Sequence, residues 1–406
     1  MSIQYPGGFI TKSPPTVVGP TNGEGGSAPG VWTLDQAMGY EKQGLWPKQI
    51  IQKQLWGWGF DFYGQLGLGN ITDYSSPKQV GALTTWLQIA CSSEHTIATK
   101  TDGTLWSWGR NNSGQLGLNN ITFYSSPVQV GALTNWLSVA CSSGFTIAIK
   151  SNGTLWSWGG NTYGQLGLGD TVDRSSPVQV GALTTWLQIS SGNNFNMAIK
   201  IDGTLWSWGY NGSGQLGLNN ITYYSSPKQI GALTNWYQVA CGASHVLAVK
   251  TNGTLWSWGR NLYYGPLGIG NTVDYSSPKQ VGALTTWSQI AGGPSYSIAT
   301  QTNGTLWSWG YNVQGNLGLG NTTYAFSNPQ QVGALTNWYQ VACGNGQSVS
   351  IKTDGTFWSW GSNSGGKLGL GDTTNRSSPV QVGTLTTWYR LPKMSIASST
   401  MALKTP

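Results

Sequence analysis

The sequence predicts an all-β protein, a seven-bladed β-propeller of four-stranded antiparallel blades, on three observations. A Trp-Ser-Trp-Gly motif begins at Trp56 (there as Trp-Gly-Trp-Gly), Trp106, Trp156, Trp206, Trp256, Trp307 and Trp358, at spacings of 50 or 51 residues. A period of that length marks a repeat architecture whose units bury apolar surface against their neighbours. Second, each unit holds four short alternating segments, and no window has helical apolar spacing. Third, the first unit begins at its third strand, Leu55-Trp56, and the last ends at its second, Met401-Ala402-Leu403-Lys404. The two halves make one blade when the ring closes, which leaves no open edge.

Ahead of the repeats the chain predicts an N-terminal arm over 1–48, with the propeller over 49–406. Residues 1–30 are rich in Pro, Gly, Ser and Thr and read as extended. Thr33 and Gln36 form a capping box for a short helix over about 34–43, which Gly44 can end. Trp32, Leu34, Met38, Leu45 and Trp46 are the candidate anchoring residues, because so short an arm cannot bury them by itself.

Within a repeat, Trp86–Cys91 reads as the first, innermost strand, ending in small residues where blades crowd at the axis. Thr96–Lys100 reads as the second strand. Asp102-Gly103, or Asn-Gly in other copies, predicts a tight hairpin with both central residues at positive φ. Thr104–Trp108 is the third strand. Gly114-Gln115-Leu116-Gly117 reads as a loop, and Pro127–Val130 starts an edge strand that tolerates proline. Alternation puts Trp106 and Trp108 on one face and Leu105 and Ser107 on the other. Each blade's rings are expected to sit on the next blade's small face, and burying one Trp contributes at most about 4–6 kcal/mol.

Charged residues are 8 % of the chain and the net charge is +7. That surface is typical of proteins outside cells, yet neither a secretion signal nor a membrane-spanning stretch is visible. The positive excess is spread through the repeats without the charge blocks of nucleic-acid-binding tails, so nucleic acid is not an expected partner. Cys91, Cys141, Cys241 and Cys343 share one repeat position with Ser191 and Gly292, which predicts tight, buried, reduced thiols. His95 and His245 lie in different units and predict structural roles. Neither paired carboxylates, a Ser-His-Asp order nor metal-ligand spacing is present. The expectation is no cofactor, no metal and no enzymatic activity.

The run His95-Thr96, Ala98, Asp102-Gly103, Trp108-Gly109, Asn111 and Gly114-Gln115-Leu116-Gly117 resembles the regulator of chromosome condensation repeat. The resemblance covers about residues 52–406 and implies a seven-bladed propeller with terminal closure. For function it implies guanine-nucleotide exchange or chromatin binding. A second resemblance, of Ser27–Pro47, is to N-terminal segments of structural proteins of marine tailed phages.

Two sets of residues stand out as candidate binding surface. Lys100, Lys150, Lys200, Lys250, Lys352 and Lys404 recur at one repeat position, with Gln301 in the seventh, and predict a cationic ring on one face. Arg110, Tyr124, Arg174, Tyr210, Tyr224, Arg260, Tyr311, Phe326 and Arg376 are candidate loop tips, at positions where the copies differ. Taken with the arm, these features lead to the expectation of a phage virion component. Its arm binds capsid or tail proteins, and its propeller contacts host-surface polysaccharide. The alternatives are the exchange or chromatin-binding propeller and a secreted glycan-binding lectin.

Overall fold

The computed structural model describes residues 4–5, 8–9, 52–393 and 396–406. Gln4–Tyr5 and Gly8–Phe9 pair as a short antiparallel ribbon. The expected helix and the anchoring residues Trp32, Leu34, Met38, Leu45 and Trp46 lie outside the described residues.

Lys53–Pro406 fold as one unit of seven four-stranded antiparallel sheets. Blade 1 joins the two ends of the repeat array, in the order Trp388–Arg390, Ser399–Lys404, Gln54–Gly59 and Tyr74–Gln79. Its central pairing runs from Gln54 opposite Lys404 to Gly59 opposite Ser399, so the expected closure is the observed one. Blade 2 shows the pattern the others follow, with strands Trp86–Cys91, His95–Lys100, Leu105–Gly109 and Tyr124–Gln129. The proline strand is the outer edge in every blade, where its missing N–H costs no ladder bond.

The hairpin between the second and third strands differs from the expected two-residue turn. Gly103 has φ 78°, but Asp102 stays at negative φ. The Gly103 N–H donates to the Lys100 carbonyl at 3.0 Å, so the loop is a type I turn followed by a left-handed glycine. The cause is the Asp102 carboxylate, which accepts from both the N–H and the hydroxyl of Thr104, at 2.9 and 2.7 Å.

Blade stacking follows the expected complementary faces, with the direction reversed. Trp136, Trp156 and Trp158 of blade 3 share a core cluster with Leu105 and Val130 of blade 2, so rings rest on the preceding blade. The second Trp of the motif meets a glycine of that blade's loop. A Cβ on Gly117 would lie 2.7 Å from Trp158 Nε1, and Gly117 has φ 73°. In six of the seven blades this indole also donates to a carbonyl of the preceding blade's loop, as Trp108 does to Gln65 at 2.9 Å. The middle serine has another task than making room for rings. Ser157 Oγ donates 2.7 Å to Leu166 O and so ties the strand to its own blade's loop.

The four cysteines are free and buried, as expected. Burial pushes the Cys91 thiol up to about 12. His95 and His245 are blade-to-blade ties: His95 Nε2 meets Thr146 Oγ1 of the next blade at 3.1 Å, and His245 Nε2 meets Ser297 Oγ at 2.9 Å. Burial lowers them to about 3 and about 4, so both are neutral at pH 7.

Candidate functional site

The turns after the first strands and the long loops after the third strands end on one face of the disc. The hairpins after the second strands end on the other. The two expected sets of binding residues divide between these faces.

The lysines lie beside the hairpins, but not as an open cationic ring. Lys100, Lys150, Lys200, Lys250 and Lys352 are each buried, no more than 7 % exposed. Each ammonium sits over two tryptophans, as Lys200 Nζ does 3.6 Å from the Trp206 ring centroid and 4.8 Å from that of Trp186. Burial lowers their pKa values. Lys404 is half-buried, 5.4 Å from the Trp56 centroid. A lysine at this position lies opposite the first-strand Trp and diagonally across the hairpin from the first Trp of the motif, and cation–π attraction holds it there rather than in solvent.

On the loop face, the loop tips separate into two kinds. Tyr124, Arg174, Tyr224 and Arg376 open the outer strands and are tied within their own loops. The Tyr124 and Tyr224 hydroxyls accept from Asn120 and Asn220, at 3.3 and 3.2 Å. Arg174 pairs with Asp170 at 2.6 Å, and Arg376 pairs with Asp372 in the same way. Phe326 packs against the core rather than standing at a tip. The second kind faces outward: Arg260 is exposed, and Tyr210, Tyr311 and Arg110 join aromatic clusters between blades.

Among the described residues three such clusters lie at the 1/2, 3/4 and 5/6 junctions. Phe62, Tyr63 and Phe123 form the first, with the Arg110 guanidinium 5.0 Å from the Tyr63 centroid and paired to Glu94 at 2.6 Å. Tyr163, Tyr210 and Tyr223 form the second, with centroids 4.7 to 5.9 Å apart. Tyr263, Tyr264, Tyr311 and Tyr324 form the third. Phe62, Phe123, Tyr163, Tyr223, Tyr263 and Tyr324 are all exposed.

The clusters come from a two-blade alternation in sequence. Odd blades 1, 3 and 5 carry Tyr63, Tyr163 and Tyr264 just before the loop glycine, where blades 2 and 4 have Ser113 and Ser213 and blade 6 has Gln314. Further along the loop, odd blades carry Asp73, Asp173 and Asp274, and even blades carry Phe123, Tyr223 and Tyr324. The aspartates cap their own loops: Asp173 Oδ1 accepts from Asn161 N at 2.7 Å and Asp274 Oδ1 from Asn261 N at 2.6 Å. An aromatic residue at that position cannot cap, and its ring crosses to the tyrosine of the preceding blade. The loop tips expected from sequence include Tyr124 and Tyr224 but not their neighbours Phe123 and Tyr223. They also leave out Tyr63, Tyr163 and Tyr264. The signal for them was the alternation itself, hidden beneath the stronger 50-residue period.

Among the described residues, no group of three His, Cys, Asp or Glu side chains could hold a metal ion, and no helix is long and apolar enough to cross a membrane.

The profile of the regulator of chromosome condensation (RCC1) repeat matches residues 53–99, 102–149, 152–199, 202–249, 252–300, 303–351 and 354–396, one match for every blade. The chain belongs to the RCC1-repeat family. This RCC1-repeat propeller is similar in fold to human WBSCR16, with a TM-score of 0.77 and 21% identity over 87% of this chain and 99% of that one. It is similar in the same way to Prp20p of Saccharomyces cerevisiae, with a TM-score of 0.76 and 21% identity over 88% and 92% of the two chains. In sequence it is 38% identical over 117 residues to the ultraviolet-B receptor UVR8 of Arabidopsis thaliana, which is 28% of this chain and 26% of the receptor. It is 37% identical over 111 residues to the human probable E3 ubiquitin-protein ligase HERC6, 26% of this chain and 11% of the ligase. The matched segment thus spans about a quarter or less of these two relatives. These findings overturn the expected virion component with capsid, tail and polysaccharide partners. The similarity is to RCC1-repeat proteins, and Prp20p has been solved bound to Kap60 and described as binding Gsp1p and histones.

Proposed function

We propose that this chain is a protein-docking propeller of the guanine-nucleotide-exchange type, holding a GTPase against its loop face. The observation that carries the reading is the set of three exposed aromatic clusters on one face of a rigid disc. Exposed Tyr and Arg on fixed elements are the residue types that anchor protein interfaces, because they bury large area at low entropic cost. Family membership and the partner named for Prp20p, Gsp1p, point to the same class. A chain of net charge +7 disfavours basic histones and so favours the GTPase over the chromatin alternative. In this reading the chain makes and breaks no covalent bond. Exchange is driven by differential binding, the propeller holding the nucleotide-free GTPase more tightly than the loaded one. The test is release of a fluorescent GDP analogue from Gsp1p and a panel of other small GTPases, with and without the propeller. Accelerated release with at least one of them is expected. Unchanged rates, with no complex detectable by gel filtration across the panel, sink the reading.

A further inference from the structure

The propeller axis holds a cavity of about 640 Å³, lined by the first strands of the blades. In blades 2 to 7 these strands are uncharged where they face it. Gln88, Ser138, Gln188, Gln238, Gln289 and Gln340 occupy one position, two residues after the strand's Trp. Blade 1 departs from this pattern. Its segment reads Arg390-Leu391-Pro392-Lys393, where blade 2 reads Gln88-Ile89-Ala90-Cys91. Arg390 takes the glutamine's place opposite Leu403, as Gln88 does opposite Thr99. After Arg390 the chain leaves its own sheet. Lys393 pairs in parallel with Ala90 of blade 2, its N–H donating to Ile89 O at 3.0 Å and its carbonyl accepting from Cys91 N at 3.2 Å.

That detour carries a cation across the axis. Lys393 Nζ donates to Ser138 Oγ of blade 3 at 3.0 Å and lies 3.4 Å from Ile189 O of blade 4. Arg390 Nη1 donates to Leu87 O at 3.0 Å. Neither cation forms an ion pair among the described residues, and the lining contains no Asp or Glu. Two like charges therefore border one cavity with no carboxylate on its lining, and its positive potential attracts an anion. Lys393 is exposed to the cavity and Arg390 is half-buried beside it, so both are charged at pH 7. Gln238 Oε1, on the same lining, is buried without a partner among the described residues and can accept from a ligand hydroxyl.

We infer that the axial cavity is a binding site for a small oxyanion-bearing ligand of the phosphomonoester class, its oxyanion held by Arg390 and Lys393. Arg supplies a planar fork matched to phosphate oxygens and Lys a point charge, while the surrounding glutamines supply neutral hydrogen bonds for an attached polyol. The opening is bordered by the exposed Leu187, Tyr237 and Tyr339 near the starts of their strands, on the side away from the aromatic loop clusters. A ligand there leaves the loop face clear.

Isothermal titration of the full chain with inorganic phosphate and with glycerol phosphate, at constant ionic strength with glycerol as the neutral control, tests the inference. Saturable one-to-one binding of the phosphate compounds is expected, with no response to glycerol. Arg390→Gln installs the residue that most blades carry at this place, so the fold should tolerate it, and Lys393→Gln removes the second charge. Each should weaken binding by about tenfold or more, the size of a lost charge-assisted hydrogen bond. Circular dichroism melts confirm that the variants are folded. If Lys393→Gln fails to fold, Arg390→Gln alone decides. Absence of saturable binding, or binding unchanged in a folded Arg390→Gln chain, overturns the inference.

Discussion

At single positions, the repeat shows its chemistry best where one copy breaks it. Asp61 stands where six blades have Asn: Asn111, Asn161, Asn211, Asn261, Asn312 and Asn363. Those asparagines accept from the loop's Leu N–H and donate to a loop carbonyl, as Asn111 does with Leu116 and Asn120. Asp61 accepts from Leu66 N at 2.8 Å, but its Oδ2 is buried and unpaired. Burial raises its pKa to about 7, with Asp73 beside it adding to the rise. The native state therefore holds a proton that the unfolded chain has released between about pH 4 and 7, and stability falls as pH rises through that window. Asp61→Asn should raise the melting temperature above pH 7 and remove this loss, which melts of both proteins across pH 4–8 will show. The histidines act with the opposite sign. Their folded pKa values lie below the ordinary 6.5, so stability is lost as pH falls from about 6.5 towards 4. His95→Gln, the residue blade 7 carries as Gln347, should flatten that acid limb in the same melts. Gly117→Ala adds a Cβ against the Trp158 indole at positive φ and should cost about 1–3 kcal/mol in a denaturant titration. The glycine was visible in the sequence as part of a motif, but which ring it faces is a contact 41 residues away across a blade boundary.

Strands and closure were legible because periodicity and split ends are sequence properties. Loop chemistry was less so. Asp102-Gly103 fits both a two-residue and a three-residue hairpin, and the Thr104 contacts that decide between them belong to the folded loop. The lysine positions were readable as a ring, but its solvation was not. Whether a lysine points outward depends on the two indoles beneath it, which the fold brings together from separate strands. Lys200→Gln, matching blade 6, should cost about 0.5–2 kcal/mol in the same kind of titration. At the level of the loops, Tyr163→Ala with Tyr223→Ala dismantles one exposed cluster whose rings lie outside the core. The melting temperature should move little, while GTPase binding should fall by about 2 kcal/mol or more if this cluster is a contact, measured by titration.

Across the whole molecule, stability depends on the ring being closed. Ser399–Lys404 pairs along the full length of Gln54–Gly59 and buries Met401, Ala402 and Leu403. Removing residues 399–406 should cost roughly 5–10 kcal/mol from the lost apolar contacts and expose two strand edges. Aggregation seen by light scattering is the expected outcome. Closure also interacts with the two-blade alternation. A ring of seven cannot alternate throughout, so two odd-type blades, 7 and 1, must meet. They meet where Gly365 takes the tyrosine position and Phe60 fills the space beside it. The disc therefore has a front, a back and a zero mark on its rim. A flat partner spanning several blades would meet a different sequence of contacts at each rotation. Near-identical repeats can in this way present a surface that fits in one orientation only.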